Sequence, residues 1–230
     1  QEETKQFLEG ISPFPLDVSV AVYYIKATHV PYKSYLENMV KYSADFSHVQ
    51  EKILQEAGAY TKTRYGIIML SLKQLVDTDS NFQDLLLFIS LLDSHKIPRQ
   101  LLVKFKGNIV VDNFIYHLKK YSLLTNDAAT SYPGEPVFSI HQSTRAIILA
   151  YITKKLNLIK HKNLVERQVQ SLDNYMKETV EKEDFSTMKS LYRHAEQFLS
   201  HEELLNEESA SSLRGELGCI YYYLRYSAKA

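Results

Sequence analysis

Tryptophan is absent and cysteine occurs once, at Cys219. A lone thiol forms no intramolecular disulfide and no thiolate cluster for structural zinc, and such cysteine usage fits a reducing, cytoplasmic setting. Glycine and proline are scarce, 7 and 6 among 230 residues. A sheet-rich chain needs more turn punctuation than that, so the composition favours helices. Long apolar runs are also missing. Segments such as 85–89 and 146–150 fall far short of the ~20 residues a bilayer-spanning helix requires. The first eight residues carry neither a signal-peptide core nor a basic leader. Neither sign of charge is in excess, with Lys+Arg and Asp+Glu both 27. That balance argues against a surface built wholly to coat a polyanion, and leaves a local basic patch open.

The usual signatures of catalysis are missing as well. There is no G-x-x-x-x-G-K-[ST], G-x-G-x-x-G, H-E-x-x-H or G-x-S-x-G. The eight histidines are scattered. His194 and His201, seven positions apart, would lie two helical turns or roughly 10.5 Å from one another, too far for one metal ion. Glu202, Glu203, Glu207 and Glu208 read as a solvated acidic face. Cys219, between Leu217 and Ile220, is expected to be buried and inert. No catalytic residue and no metal ligand is assigned.

What is present is helical periodicity over most of the chain. Residues 1–60 hold stripes at Val18, Val22, Ile25 and at Tyr35, Leu36, Met39, Val40, with Pro15 suited to a helix first turn and Pro31 ending that helix. A third helix around Val49, Ile53 and Leu54, capped by Ser47, would end at Gly58. Residues 61–156 begin with Ile68, Leu72, Leu75 and Val76. Phe82, Leu85, Leu86 and Ile89 follow behind a cap at Asp79 or Ser80. A short helix spans 101–105 after Pro98, and another carries Val111, Phe114, Ile115 and Leu118 behind Asn108 or Asp112. Segments 122–125 and 137–140 then predict a two-stranded ribbon with a long tip over 126–136. Residues 157–230 carry longer stripes, through Val165, Val169, Leu172, Met176, then Met188, Leu191, Ala195, Phe198, then Leu213, Leu217, Ile220, Tyr221, Leu224. Antiparallel hairpins bury such stripes.

Three stretches, in order, resemble one family. Residues 11–25 with Tyr32, Tyr35 and Leu36 resemble the G-x-P element and first helical domain of STAND (NB-ARC-like) signalling ATPases, Pro15-Leu16 matching the element's proline and leucine while Pro13 replaces its glycine. Residues 81–97, 111–124 and Phe138-Ser-Ile-His141 resemble that family's winged-helix domain and its M-H-D-like motif, with Gln142 in place of the acid. Leu191-Tyr-Arg-His-Ala195 and Leu217-Gly218, Tyr221, Leu224 and Ala230 resemble a tetratricopeptide repeat, with Arg225 where its glycine is expected.

The resemblance implies an all-α fold in three parts: a helical domain at 1–60, a winged-helix domain with one short β-hairpin at 61–156, and a helical linker opening a repeat array at 157–230. It implies a segment of a longer protein, with a nucleotide-binding domain upstream and further repeats, which bind a protein or peptide ligand, downstream. ADP and ATP are then ligands of the intact protein, Pro15 packing on the adenine and His141 reaching the β-phosphate. An imidazole at a helix start, beside free backbone N–H groups, is well placed for a phosphate oxygen.

Two other readings stand beside it. Lys96, Arg99, Lys104, Lys106, Lys119 and Lys120 face only Asp112 between 94 and 125, which invites a winged-helix DNA-binding protein with 111–121 as recognition helix. Phe114, Ile115 and Leu118 are committed to a core, however, and the tip lacks the Arg/Lys that grips phosphates, so a domain-docking face is preferred over DNA. The third reading is a structural adaptor whose hairpins grip a peptide.

Overall fold

The computed structural model describes residues 2–43, 62–125 and 136–224. Among these the chain is overwhelmingly helical, with eleven α-helices and one two-stranded sheet. The expected helix capped by Ser47, the tip of the ribbon, Arg225 and Ala230 lie outside the described residues.

Helices α1 (Glu2–Gly10), α2 (Pro15–Thr28) and α3 (Tyr32–Ser43) form the first layer. Pro15 opens α2, where its missing N–H leaves no orphan donor. His29, left-handed at φ 56°, closes it ahead of Pro31. Helix α4 (Lys62–Thr78) is buried on every side over 64–72. It packs on α2 and α3 through one face, and on α5 (Ser80–Leu91) and α8 (Gln142–Leu156) through the other. Gly66 permits the α3 contact: a Cβ there would stand 2.5 Å from the Met39 carbonyl oxygen. Asp79 caps α5, its carboxylate accepting from the Asn81 backbone N–H at 2.8 Å.

After α5 the chain enters β1 (Ile97–Pro98), then α6 (Arg99–Lys106) and α7 (Asn108–Lys120), separated by Gly107 at φ 84°. Gly107, rather than Asn108 or Asp112, is the N-cap of α7, and it adds no side-chain bond. The Asp112 carboxylate instead accepts from Arg99.

The ribbon differs from its prediction. Strand β2 (Val137–Phe138) pairs antiparallel with β1, Ile97 opposite Phe138 and Pro98 opposite Val137. Segment 122–125 meets the following residues through one bridge, Leu124 with Ile140, supported by Thr125 N–H donating to the Ser139 carbonyl at 2.9 Å. The missed partner is too short to show an alternating pattern. Pro98, which cannot donate to a ladder, sits at its end, where no donor is needed.

Helices α9 (Glu166–Glu181), α10 (Phe185–Leu199) and α11 (Glu207–Tyr223) form antiparallel hairpins that bury the expected stripes, including Leu172, Met176, Leu191, Phe198, Leu213 and Ile220. Asp184 and Asn206 cap α10 and α11 by accepting backbone N–H bonds. Cys219 is exposed, contrary to expectation. Leu217 and Ile220 both point inward, but two positions beyond Leu217 is about 200° around the helix, which turns the thiol to solvent. No helix among the described residues is long and apolar enough to cross a membrane.

Candidate functional site

Pro15 and His141 stand at the starts of two different helices, one as first helical residue and the other as N-cap. Pro15 is the first residue of α2 and exposed, following Phe14 in extended conformation. His141 is the N-cap of α8, extended at φ −63° and ψ 140°, exposed, and its ring makes no capping bond. Its carbonyl accepts from the Arg145 N–H at 2.9 Å, so the first helical turn is closed while the imidazole stays uncommitted. Helix α2 packs on α4 and α7, and α8 on α4 and α5, so α4 is the body both helices share.

The start of α2 is held by a contact absent from any local motif. Asp17, completely buried, accepts two bonds from the Arg64 guanidinium of α4, at 2.7 Å from Nε and 3.3 Å from Nη2. The guanidinium carbon also lies 4.9 Å from the centroid of the Phe14 ring. Residue 17 sits in a largely apolar helix and residue 64 lies 47 positions away. The only sequence signal was a carboxylate among Val18, Val20, Ala21 and Val22.

Between α2, α7 and the β segments lies a groove of about 730 Å3. Ser19 and Tyr23 of α2, Ile115 and Lys119 of α7, Ser122, and Val137 to Ser139 all line it. The Ser19 and Ser122 hydroxyls meet at 2.6 Å, with Ser122 left-handed at φ 54°. Ser19 is one helical turn beyond Pro15 and Ser139 two residues before His141. The structure therefore brings together near neighbours of the two residues, while Pro15 and His141 themselves are outside the groove's lining.

Three of the six cations in the basic segment form ion pairs inside the chain. Arg99 donates to Asp112 at 2.6 Å, Lys106 to Asp84 at 2.5 Å, and Lys104 pairs with Glu178 of α9. Phe114 and Leu118 are fully buried. These pairings favour a face that docks on neighbouring helices over one that tracks a polyanion.

A second polar cluster, unforeseen in the sequence, lies where α5, β1, α8 and α10 meet. Buried Arg145 donates to the Ser90 carbonyl at 3.1 Å. His194 is buried against the Lys96 carbonyl at 3.1 Å. Burial pushes the His194 value down, with the Lys96 bond and Asp93 opposing. His201 is pulled down to about 4, by burial first and by the Arg145 charge second. At the far end, the Tyr221 hydroxyl donates to Glu196 at 2.5 Å and Tyr222 is 76% exposed. Among the described residues no group of three His, Cys, Asp or Glu is placed to hold a metal ion.

No protein-family model matches this chain, and neither a curated protein nor a solved structure does so.

Proposed function

We propose that the chain is the regulatory and oligomerisation-control segment of a STAND-type signalling ATPase: a helical domain, a winged-helix domain and the opening of a tetratricopeptide-like array that links ADP held in a closed state to a ligand sensed by the repeats. The observation that carries the reading is His141, exposed and unengaged at the N-cap of α8 directly after a β segment. The element order around it, α5, β1, α6, α7, a bridge at Leu124, β2 and α8, supports a winged-helix reading. The hairpins α9 to α11, with Tyr221 buried between α10 and α11 and Tyr222 exposed beside it, support the array.

The exposure of Pro15 and His141 at two helix starts supports a nucleotide reading. An unengaged imidazole beside the first backbone N–H groups of α8 suits a phosphate oxygen. An exposed proline at the start of α2 offers a flat apolar face to a base. ADP or ATP would bring the phosphates whose charge those donors meet. His141 would donate to a β-phosphate oxygen and Pro15 would exclude water from one face of the adenine. The ligands for the remaining phosphate and for magnesium belong to the upstream domain. A switch of this kind requires each ligand to prefer one arrangement of the parts. The test is ADP retention by the intact protein. His141→Ala should release ADP at least tenfold faster, and unchanged retention would refute the assignment.

A DNA-binding role remains the second reading because Tyr116 is 61% exposed on α7 near Lys119 and Lys120. Duplex DNA titrated at low and moderate salt distinguishes it, since phosphate contacts give a steep salt slope.

A further inference from the structure

The α9–α11 hairpins meet the rest of the molecule along two lines. One is polar and exposed: Lys104 of α6 pairs with Glu178, and Arg167 of α9 lies 3.8 Å from Asp84 and 5.8 Å from the Phe105 ring. The other is buried. Phe198 of α10 meets Phe88 of α5 edge to face at 6.4 Å, and one turn away His194 reaches the Lys96 carbonyl across 98 residues of sequence.

The chemistry of that histidine is one-sided. The Lys96 oxygen can only accept, so Nε2 must carry the proton and Nδ1 a lone pair. The residue is 1% exposed, and its Nδ1 has no hydrogen-bond partner among the described residues. A proton added at Nδ1 would place a cation where no acceptor stands ready, a costly burial. Asp93 is the carboxylate near enough to favour such a cation. Its Oδ1 already accepts from the His95 backbone at 2.9 Å and faces the His95 ring at 3.3 Å, and Arg193 draws on the same charge. From α8, Arg145 faces Asp93 and His201, so it opposes a second positive charge at His201. From α10 itself, Gln197 is the polar neighbour of His201, while Glu196 is engaged by Tyr221 of α11. The carbonyl being held belongs to Lys96, left-handed at φ 52°, a conformation that costs a non-glycine residue and persists when its surroundings hold it.

We propose that this junction is a proton-released latch: neutral His194 pins α10 to the β1 turn, and acidification frees the α9–α11 hairpins from the α4–α8 layer, with His201 beside Arg145 adding to the release. The latch does not depend on the nucleotide reading. If the held ring stays neutral while the freed ring has the ordinary histidine value of about 6.5, lowering pH from 7.5 to 5.5 multiplies the released population about tenfold per histidine.

Amide hydrogen exchange on the full chain, corrected for the intrinsic pH dependence of exchange, reads this directly. Between pH 7.5 and 5.5, amides in 94–98 and 188–199 should lose ten- to a hundredfold protection while those in 67–75 of α4 hold theirs. His194→Gln keeps an amide N–H donor for the Lys96 carbonyl and cannot titrate. It should retain protection at pH 7.5 and show a pH response smaller by about tenfold. The same loss in His194→Gln as in the wild type, or equal loss throughout α4, would overturn the proposal. If the variant fails to fold, an NMR titration of the wild-type imidazole decides. Protonation only as the β1 amides open supports the latch, and protonation at the ordinary histidine value with those amides still protected refutes it.

Discussion

Arg64→Met is the sharpest test of how the first layer is held to α4. The change keeps the length of the side chain and its apolar stem but leaves the Asp17 carboxylate, with no exposed surface, facing no cation. Taking one partner from a buried ion pair costs roughly 3–5 kcal/mol, because the remaining charge keeps its desolvation penalty and loses its compensation. The upper half of that range is expected, since two bonds are lost together, at 2.7 and 3.3 Å. For a chain of this size each kcal/mol lowers the melting temperature by about 2–4 °C, so a fall of ~8–20 °C is expected by calorimetry, with a matching shift of the urea midpoint. The double variant Asp17→Leu with Arg64→Met removes both charges, and should recover all but ~1–2 kcal/mol, since buried pairs are often replaceable by apolar side chains. A loss under ~1 kcal/mol for Arg64→Met, or a double variant no more stable than the single, would refute this reasoning.

Other outcomes follow from the same packing. Gly66→Ala should cost about 1–3 kcal/mol in urea unfolding, because its methyl would press on the Met39 carbonyl at 2.5 Å and backbone must move. Gly107→Ala should cost about 1 kcal/mol at a φ of 84°, read as a lower melting temperature. His201 is held down to about 4 in the folded chain, so the unfolded chain binds the extra proton first. The His201 contribution to stability is therefore complete above pH ~6.5 and declines as pH falls from there through about 4, by at most ~3 kcal/mol. His201→Gln should flatten that decline in pH-dependent denaturation. Exposed Cys219 should react with a maleimide in the native protein at a rate near that of the urea-unfolded chain, whereas a buried thiol would be protected many-fold.

Much of the helical layout was legible because it follows from periodicity and punctuation. The stripe of Leu213, Leu217 and Ile220, the Asp79 cap and the start of α2 at Pro15 all needed only local spacing. The elements that escaped were those whose reason is distant. Ile97 and Pro98 form a strand because Val137 and Phe138 arrive beside them, and two residues carry no period of their own. Asp17 and Arg64 pair across 47 residues, and His194 finds Lys96 across 98. Cys219 was misjudged because apolar neighbours in sequence are not neighbours around a helix. At the candidate site, the chemical types at Pro15 and His141 were readable, and so were their helix-start positions. The groove at Ser19, Ser122 and Ser139 was not, since it exists only once three elements meet.

The dissociation rate of ADP from the intact protein, wild type against His141→Ala, tests the functional account most directly. Slow release that accelerates at least tenfold on losing the imidazole is the result expected. Equal rates, or an intact protein that retains no nucleotide, would contradict it.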